Sequence, residues 1–316
     1  MNHDKPWKSF EEQLSILKTR GLRVDNESAA LDYLERIGYY RLSGYWYSFR
    51  QLELDDDSQG LNKRLDRFVD GSHFKDAVDL YVFDKKLRLL ALDALERIEL
   101  AIRVDIAHLL GELDIYAHEN PAMFHGNFSK KTNHSGKTKH QMWLEKYQGQ
   151  LHRARRTPFV AHYMNKYGRL PIWVAIEIWD FGLLSKLYAG MQFKHKEKIA
   201  AKYDSNSSKD FAGWLRGLNF IRNVSAHHSR LWNINVLERA NLPQDDAYWR
   251  QLNNARPFFY FCLMQRLMRV ICPNSRWSAR FSELIFEFPD VRSGTVSLAD
   301  FGLLKDWLEW DLWSQK

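Results

Sequence analysis

The chain has 316 residues, of which 45% are hydrophobic and 14% are aromatic. A chain of this length and composition can bury a large core, which excludes an intrinsically disordered protein. Its net charge of +7 permits a polyanionic partner such as nucleic acid but does not require one. With 16 Gly and 8 Pro, the composition favours long helices over a turn-rich β architecture.

No membrane or secretory segment is predicted. The N-terminal residues lack the apolar stretch of a signal peptide. The most apolar run, residues 258–272, contains one glutamine and two arginines, so it is too short and too charged to span a bilayer. The two cysteines, Cys262 and Cys272, show no pairing pattern and are expected to be reduced. We therefore expect a cytoplasmic protein with no membrane partner.

Helical periodicity begins near the N-terminus. Residues 7–20 form an amphipathic pattern that ends at Gly21, and a second short helix is predicted up to Ile37. Residues 74–112 contain no proline, and their only glycine is Gly111, near the end. Apolar residues recur there every three to four positions, which predicts one long helix.

Further helices are predicted from Pro171 to about Tyr188, from Ser207 or Ser208 through Ile221, and over 247–270. Residues 301–313 are rich in aromatic side chains and are expected to dock on the core. Because no alternating run is long enough to predict a strand, the fold class is all-α.

Two segments can each be interpreted in two ways. Residues 38–50 place six aromatic side chains between arginines, an arrangement that can grip single-stranded nucleic acid or form a buried cluster that seats the N-terminal helices. An acidic loop, 51–61, follows. On the long helix, Glu99 and Arg103 are spaced as an i,i+4 pair. The pair is either a solvated surface contact or an inward glutamate that orients a catalytic arginine.

Residues 126–156 concentrate positive charge. The segment carries eight Lys or Arg residues against the single acid Glu145, a net charge of +7 that equals that of the whole chain. Such a segment can neutralise phosphates, or it can be a solvated charged loop. The candidate RNA-binding residues are Lys130, Lys131, Lys137, Lys139, Lys146, Arg153, Arg155 and Arg156.

Residues 220–233 contain the densest group of chemically competent side chains. Asn223 and His227 are four positions apart and share a helix face, and the long side chain of Arg222 can reach the same side. Imidazole transfers protons near neutral pH, and guanidinium holds phosphate bidentately, so the set suits phosphodiester cleavage. Asn223 could fix the imidazole tautomer or bind a phosphate oxygen. His228 and Arg230 are adjacent, with no role assigned.

The spacing of this motif is weak evidence by itself. With 25 arginines and 12 histidines, chance alone gives about one such arginine–histidine pair per chain. Arg103 and His108 form a second match, without a polar residue after the arginine. No histidine or cysteine spacing is typical of a zinc site and there is no glycine-rich phosphate loop, so no metal or cofactor is predicted.

Several separate motifs in order make the sequence resemble a known family. They are SFEEQL at 9–14, IGYYRLSGYW at 37–46, RIELAIR at 97–103, LPIWVAIE at 170–177 and LNFIRNVSAHHSRLWN at 218–233. The chain resembles the Abi-like bacterial abortive-infection proteins (the AbiD/AbiF group), which belong to the HEPN superfamily.

The resemblance implies a single Abi-like domain over 1–316. Its HEPN-like helical core would span 75–235 with a basic insert at 126–156, and helical flanks at 1–74 and 236–316 would pack on it.

The resemblance also implies a metal-independent RNase acting in phage defence. Arg222, Asn223 and His227 would be catalytic, with Glu99, Arg103, His228 and Arg230 as supporting candidates. Two chains would face each other as a homodimer, and RNA would be cut to 2′,3′-cyclic phosphate and 5′-hydroxyl ends. A structured noncoding RNA could bind the basic segment.

Two alternatives stay open. One is a non-catalytic RNA- or protein-binding module that acts through a partner. The other is a structural dimer in which the motif serves as the interface.

Overall fold

The longest helix is α4 (Phe74–Gly111), and helices from both ends of the chain pack against it. Its 38 residues rise about 57 Å. No glycine or proline interrupts residues 74–110, and apolar side chains recur along it at helical spacing. The helix predicted over 74–112 is confirmed.

The computed structural model describes residues 6–53, 63–205 and 207–314. These residues are predominantly helical, as predicted. The three helices before α4 are α1 (Phe10–Thr19), α2 (Glu27–Ile37) and α3 (Tyr39–Trp46). Those after it are α5 (Gly126–Ser129), α6 (Lys139–Ala154), α7 (Pro158–Tyr167), α8 (Ile172–Ala175), α9 (Phe181–Gly190), α10 (Phe193–Lys202), α11 (Ser208–Ala226), α12 (Ala247–Gln251), α13 (Pro257–Ile271) and α14 (Trp277–Phe286).

A small hairpin lies where no strand was predicted. β1 (Arg50–Glu53) pairs antiparallel with β2 (Lys63–Phe68). The strands are four and six residues long and the register shifts between Arg50 and Leu52, so no clear two-residue period develops. Most of the predicted acidic loop at 51–61 lies outside the described residues.

The helix predicted from Pro171 to Tyr188 is in fact interrupted. A 3-10 turn (Ile176–Ile178) follows α8, Trp179 is extended, and α9 then begins. Asp180 caps α9, its Oδ1 accepting a hydrogen bond from the Leu183 amide at 2.7 Å. An aspartate at this position favours a helix start over a helix interior, because its carboxylate satisfies a free amide of the first turn.

The helix predicted over 247–270 is also two helices, α12 and α13. Pro257 is the first residue of α13. Its ring would clash with the preceding turn of a continuous helix, so the chain starts a new one there. The aromatic tail docks as predicted: Trp307, Trp310 and Trp313 are buried, and the Trp313 ring stacks on Phe281 with 4.5 Å between centroids.

The aromatic segment at 38–50 mostly enters the core. Tyr45, Trp46 and Phe49 are each at most 2% exposed, so their rings are covered by protein and not free to stack on bases. Tyr40 and Tyr47 are the exceptions, at 92% and 48% exposed. The geometry therefore favours the interpretation in which the cluster seats the N-terminal helices.

Candidate functional site

The predicted catalytic residues lie at the C-terminal end of α11. Arg222 and Asn223 belong to its last turns, and His227 caps it, its amide donating to the Asn223 carbonyl at 3.0 Å. Residue 228 then adopts a left-handed conformation (φ 57°), and the next amide, of Ser229, returns to the Val224 carbonyl at 3.0 Å. This Schellman-type ending turns the chain sharply after His227 and leaves the imidazole exposed.

Arg222, Asn223 and His227 line one cavity of about 530 Å³. Its opposite walls come from α6, through Lys146 and Arg153, and from α9 with its cap residue. The charged side chains in the lining are Lys146, Arg153, Lys186, Arg222 and, as the only acid, Asp180. The cavity is therefore electropositive and suited to an anion.

Asp180 offsets only part of this charge, one carboxylate against four cationic side chains, and its oxygens are held by hydrogen bonds within the fold. One oxygen caps α9, and the other accepts from Gln150 Nε2 at 2.6 Å. Within the described ranges, no carboxylate lies at ion-pair distance from Lys146, Arg153 or Lys186.

Arg222 is placed between this cavity and α4. Its Nη1 donates to Asn223 Oδ1 at 3.2 Å, so in this structure Asn223 orients the arginine. Arg222 also lines a second cavity of about 370 Å³ with Glu99 and Arg103. Burial raises the pKa of Glu99, while the guanidinium groups of Arg103 and Arg222 act in the opposite direction.

The predicted Glu99–Arg103 pair is formed and is largely shielded from solvent. Arg103 donates to Glu99 Oε1 at 2.6 Å and to the Trp179 carbonyl at 2.6 Å. The pair thus fixes the extended residue between α8 and α9 and faces Arg222. His108 lies elsewhere, in a third cavity of about 570 Å³ that Arg222 does not line. Arg103 lines this third cavity as well as the one that it shares with Arg222, so only the arginine of the alternative Arg103–His108 motif lies next to the site.

His228 and Arg230, predicted as supporting residues, do not line the cavity of His227. The His228 carbonyl accepts from Arg41 Nη1 at 2.5 Å, and the Arg230 guanidinium donates to the Gly44 carbonyl. Both contacts attach the segment after His227 to α3, so these residues hold the chain in place.

A buried acid that the sequence interpretation missed completes this attachment. Asp84 on α4 accepts from Tyr45 Oη at 2.7 Å, from the Leu231 amide at 3.0 Å and from the Trp232 amide at 2.7 Å. It also pairs with Arg88. The sequence did contain a signal for this buried pair, namely an Asp and an Arg four positions apart on the apolar side of a long helix.

The predicted RNA-binding residues separate into three groups. Lys146 and Arg153 line the cavity, and Lys139 is on the same side of α6 because the three are spaced by seven residues. Lys137 pairs with Glu145 at 2.5 Å. The remainder are exposed and outside the cavity lining: Lys130, Lys131, Arg155 and Arg156. Lys186, which was not predicted, joins the first group.

Neither a metal cluster nor a membrane span is found in the part of the chain that the structure describes. No three His, Cys, Asp or Glu side chains group there as ligands of one ion. No helix there combines the length and the apolarity needed to cross a bilayer.

Comparison with known proteins identifies the family. The model of the Abi-like protein family matches residues 32–233, which is more than half of the chain and contains every residue of the site. The chain therefore belongs to the Abi-like protein family, and this membership associates it with abortive infection, a form of defence against phage. No curated protein and no solved structure matches the chain.

Proposed function

We propose that the protein is a metal-independent endoribonuclease of the HEPN type that acts in phage defence. One observation carries the proposal: Arg222, Asn223 and His227 open into a single cavity whose other charged walls are mainly cationic. That arrangement supplies a proton-transfer group and phosphate-binding groups in one place.

The exposed imidazole of His227 removes the proton of a ribose 2′-hydroxyl. The 2′ oxygen attacks the adjacent phosphorus, and Arg222 stabilises the charge that develops on the phosphate oxygens. The bond to the 5′ oxygen breaks as that oxygen takes up a proton. The products are a 2′,3′-cyclic phosphate and a 5′-hydroxyl.

A second proton-transfer group is needed to protonate the leaving oxygen. Each chain has one His227, so we propose a homodimer in which one His227 acts as base and the other as acid. The outer face of α4, defined by Leu89, Leu100 and Val104, supports this arrangement, because each of these side chains is more than half exposed. Leu100 lines the second cavity together with Arg222, so a partner on this face would lie next to the site.

The test compares His227→Asn with His228→Asn, a matched control at the next position. Asn tolerates the left-handed conformation of residue 228, and His228 does not line the cavity. With EDTA present, we expect His227→Asn to slow RNA cleavage by about a hundredfold or more and His228→Asn to cleave normally. Mass spectrometry should find cyclic phosphate ends.

Cleavage at the wild-type rate by His227→Asn contradicts the proposed site. RNA binding without cleavage by any of the three proteins favours the alternative of a non-catalytic RNA-binding module, which the cationic cavity could also serve.

A further inference from the structure

Lys146 of α6 and Lys186 of α9 lie next to each other in the cavity that His227 lines, on the wall opposite the catalytic motif. Helices α6 and α9 pack together there, with Trp143 Nε1 donating to the Leu183 carbonyl at 2.9 Å and Gln150 donating to Asp180. One turn beyond these contacts the two helices present Lys146 and Lys186 to the same cavity. Partial burial, together with the adjacent Lys146 ammonium, lowers the pKa of Lys186.

Two ammonium groups held together repel each other unless an anion lies between them. The carboxylate of Asp180 offsets only part of this repulsion: it acts on Lys186 from a distance, forms no ion pair with either lysine in the described ranges, and accepts hydrogen bonds from the Leu183 amide and Gln150. Both lysines are flexible and could separate into solvent, yet they border a recess that also contains Arg222 and His227. A phosphate bridging the pair would remove the repulsion and accept hydrogen bonds from both groups.

We propose that Lys146 and Lys186 together bind one phosphate of an RNA strand, next to the phosphate that Arg222 and His227 engage. The inference rests on the proposed function in that the same cavity receives the RNA. It adds that the ligand supplies at least two neighbouring phosphates, one for the lysine pair and one for Arg222 and His227, because all four side chains line the same cavity of about 530 Å³.

Binding is measured with a fully 2′-O-methylated RNA oligonucleotide, which cannot be cut through a 2′-hydroxyl. The variants are Lys146→Gln, Lys186→Gln and the double substitution. The control is Lys209→Gln, an exposed lysine at the start of α11, 13 residues and about 20 Å along the helix from Arg222.

We expect each cavity variant to bind roughly tenfold more weakly, with Lys209→Gln unchanged. The salt dependence gives the sharper result. Each phosphate bound on a single strand contributes about 0.7 to the slope of log K against log salt. The double variant should therefore lose about 0.7 in slope rather than twice that, because the two lysines share one phosphate.

Neutral methylphosphonate linkages placed one at a time along the oligonucleotide locate that phosphate. One linkage contacts Arg222, and its effect on affinity should disappear in Arg222→Gln. At a neighbouring linkage, neutralisation should weaken binding by the wild-type protein but should not weaken binding by the Lys146→Gln/Lys186→Gln variant any further. The proposal is overturned if the double variant has the same salt slope as wild type. It is also overturned if neutralising that neighbouring linkage weakens binding by the double variant as much as by wild type, or if wild type does not bind the oligonucleotide.

This result is separate from that for the nuclease. Natural RNA left intact by wild-type protein, with the lysine effects on binding present, refutes the nuclease and keeps the phosphate subsite. Cleavage that continues while both lysine substitutions leave binding unchanged refutes only the subsite.

Discussion

Replacing Asp84 by alanine tests whether the segment after His227 depends on one buried carboxylate. Asp84 is fully buried and Arg88 is 4% exposed, so the substitution leaves a guanidinium in the core without its counter-charge. Breaking a buried ion pair from one side costs about 3–5 kcal/mol. The substitution also removes the acceptor of three hydrogen bonds, those donated by the Leu231 amide, the Trp232 amide and Tyr45 Oη. We expect a loss of about 5 kcal/mol, comparable with the whole stability of many domains.

The matched control is Asp79→Ala, on the same helix. Asp79 pairs with Lys75 at 2.6 Å in the same i,i+4 geometry but in solvent, with the two side chains 36% and 63% exposed. An exposed pair of this kind contributes about 0.3–0.5 kcal/mol. Equilibrium urea denaturation of wild type and both variants gives the two differences in free energy of unfolding.

Hydrogen exchange adds a local measurement, since the amides of Leu231 and Trp232 should lose protection in Asp84→Ala more than amides of α13 do. If Asp84→Ala costs no more than Asp79→Ala, the buried network does not hold this segment and the reasoning is wrong.

Two further predictions concern pH and assembly. Burial lowers the pKa of His118 to about 3, where its ring lies against Tyr147 and Trp179. The unfolded chain binds this proton near pH 6.5 and the folded chain does not, so stability falls as the pH drops below 6.5, by about 1.4 kcal/mol per unit. Between pH 7 and pH 5, wild type should lose about 2 kcal/mol more than His118→Phe in urea denaturation, and equal losses would contradict the assignment. On the outer face of α4, Leu100→Glu with Val104→Glu should convert a dimer to a monomer in sedimentation velocity and abolish cleavage. Leu237→Glu, which changes an exposed leucine elsewhere, should do neither. Cleavage by a monomeric wild-type protein would refute the dimeric site.

The elements predicted well from sequence are those with local causes. Helix α4 follows from uninterrupted periodicity, and α11 begins where Ser207 caps it, its hydroxyl accepting from the Asp210 amide at 3.1 Å. The breaks within 171–188 and 247–270 also had local signals, in Asp180 and Pro257. They were missed because the apolar pattern continues across both breaks, so periodicity alone does not reveal them.

The sequence itself places Asn223 and His227 on one helix face, because i,i+4 spacing sets direction without help from the rest of the chain, and it puts Arg222 one position away from that face. What surrounds that face is decided by packing between segments far apart in sequence. Lys186 and Lys146 meet only because α9 lies on α6, and Glu99 approaches Arg222 only because α4 crosses α11. Asp84 similarly reaches residues 231 and 232, nearly 150 positions away. Helical spacing therefore determined which side chains share a face, and the tertiary structure decided which charges they meet.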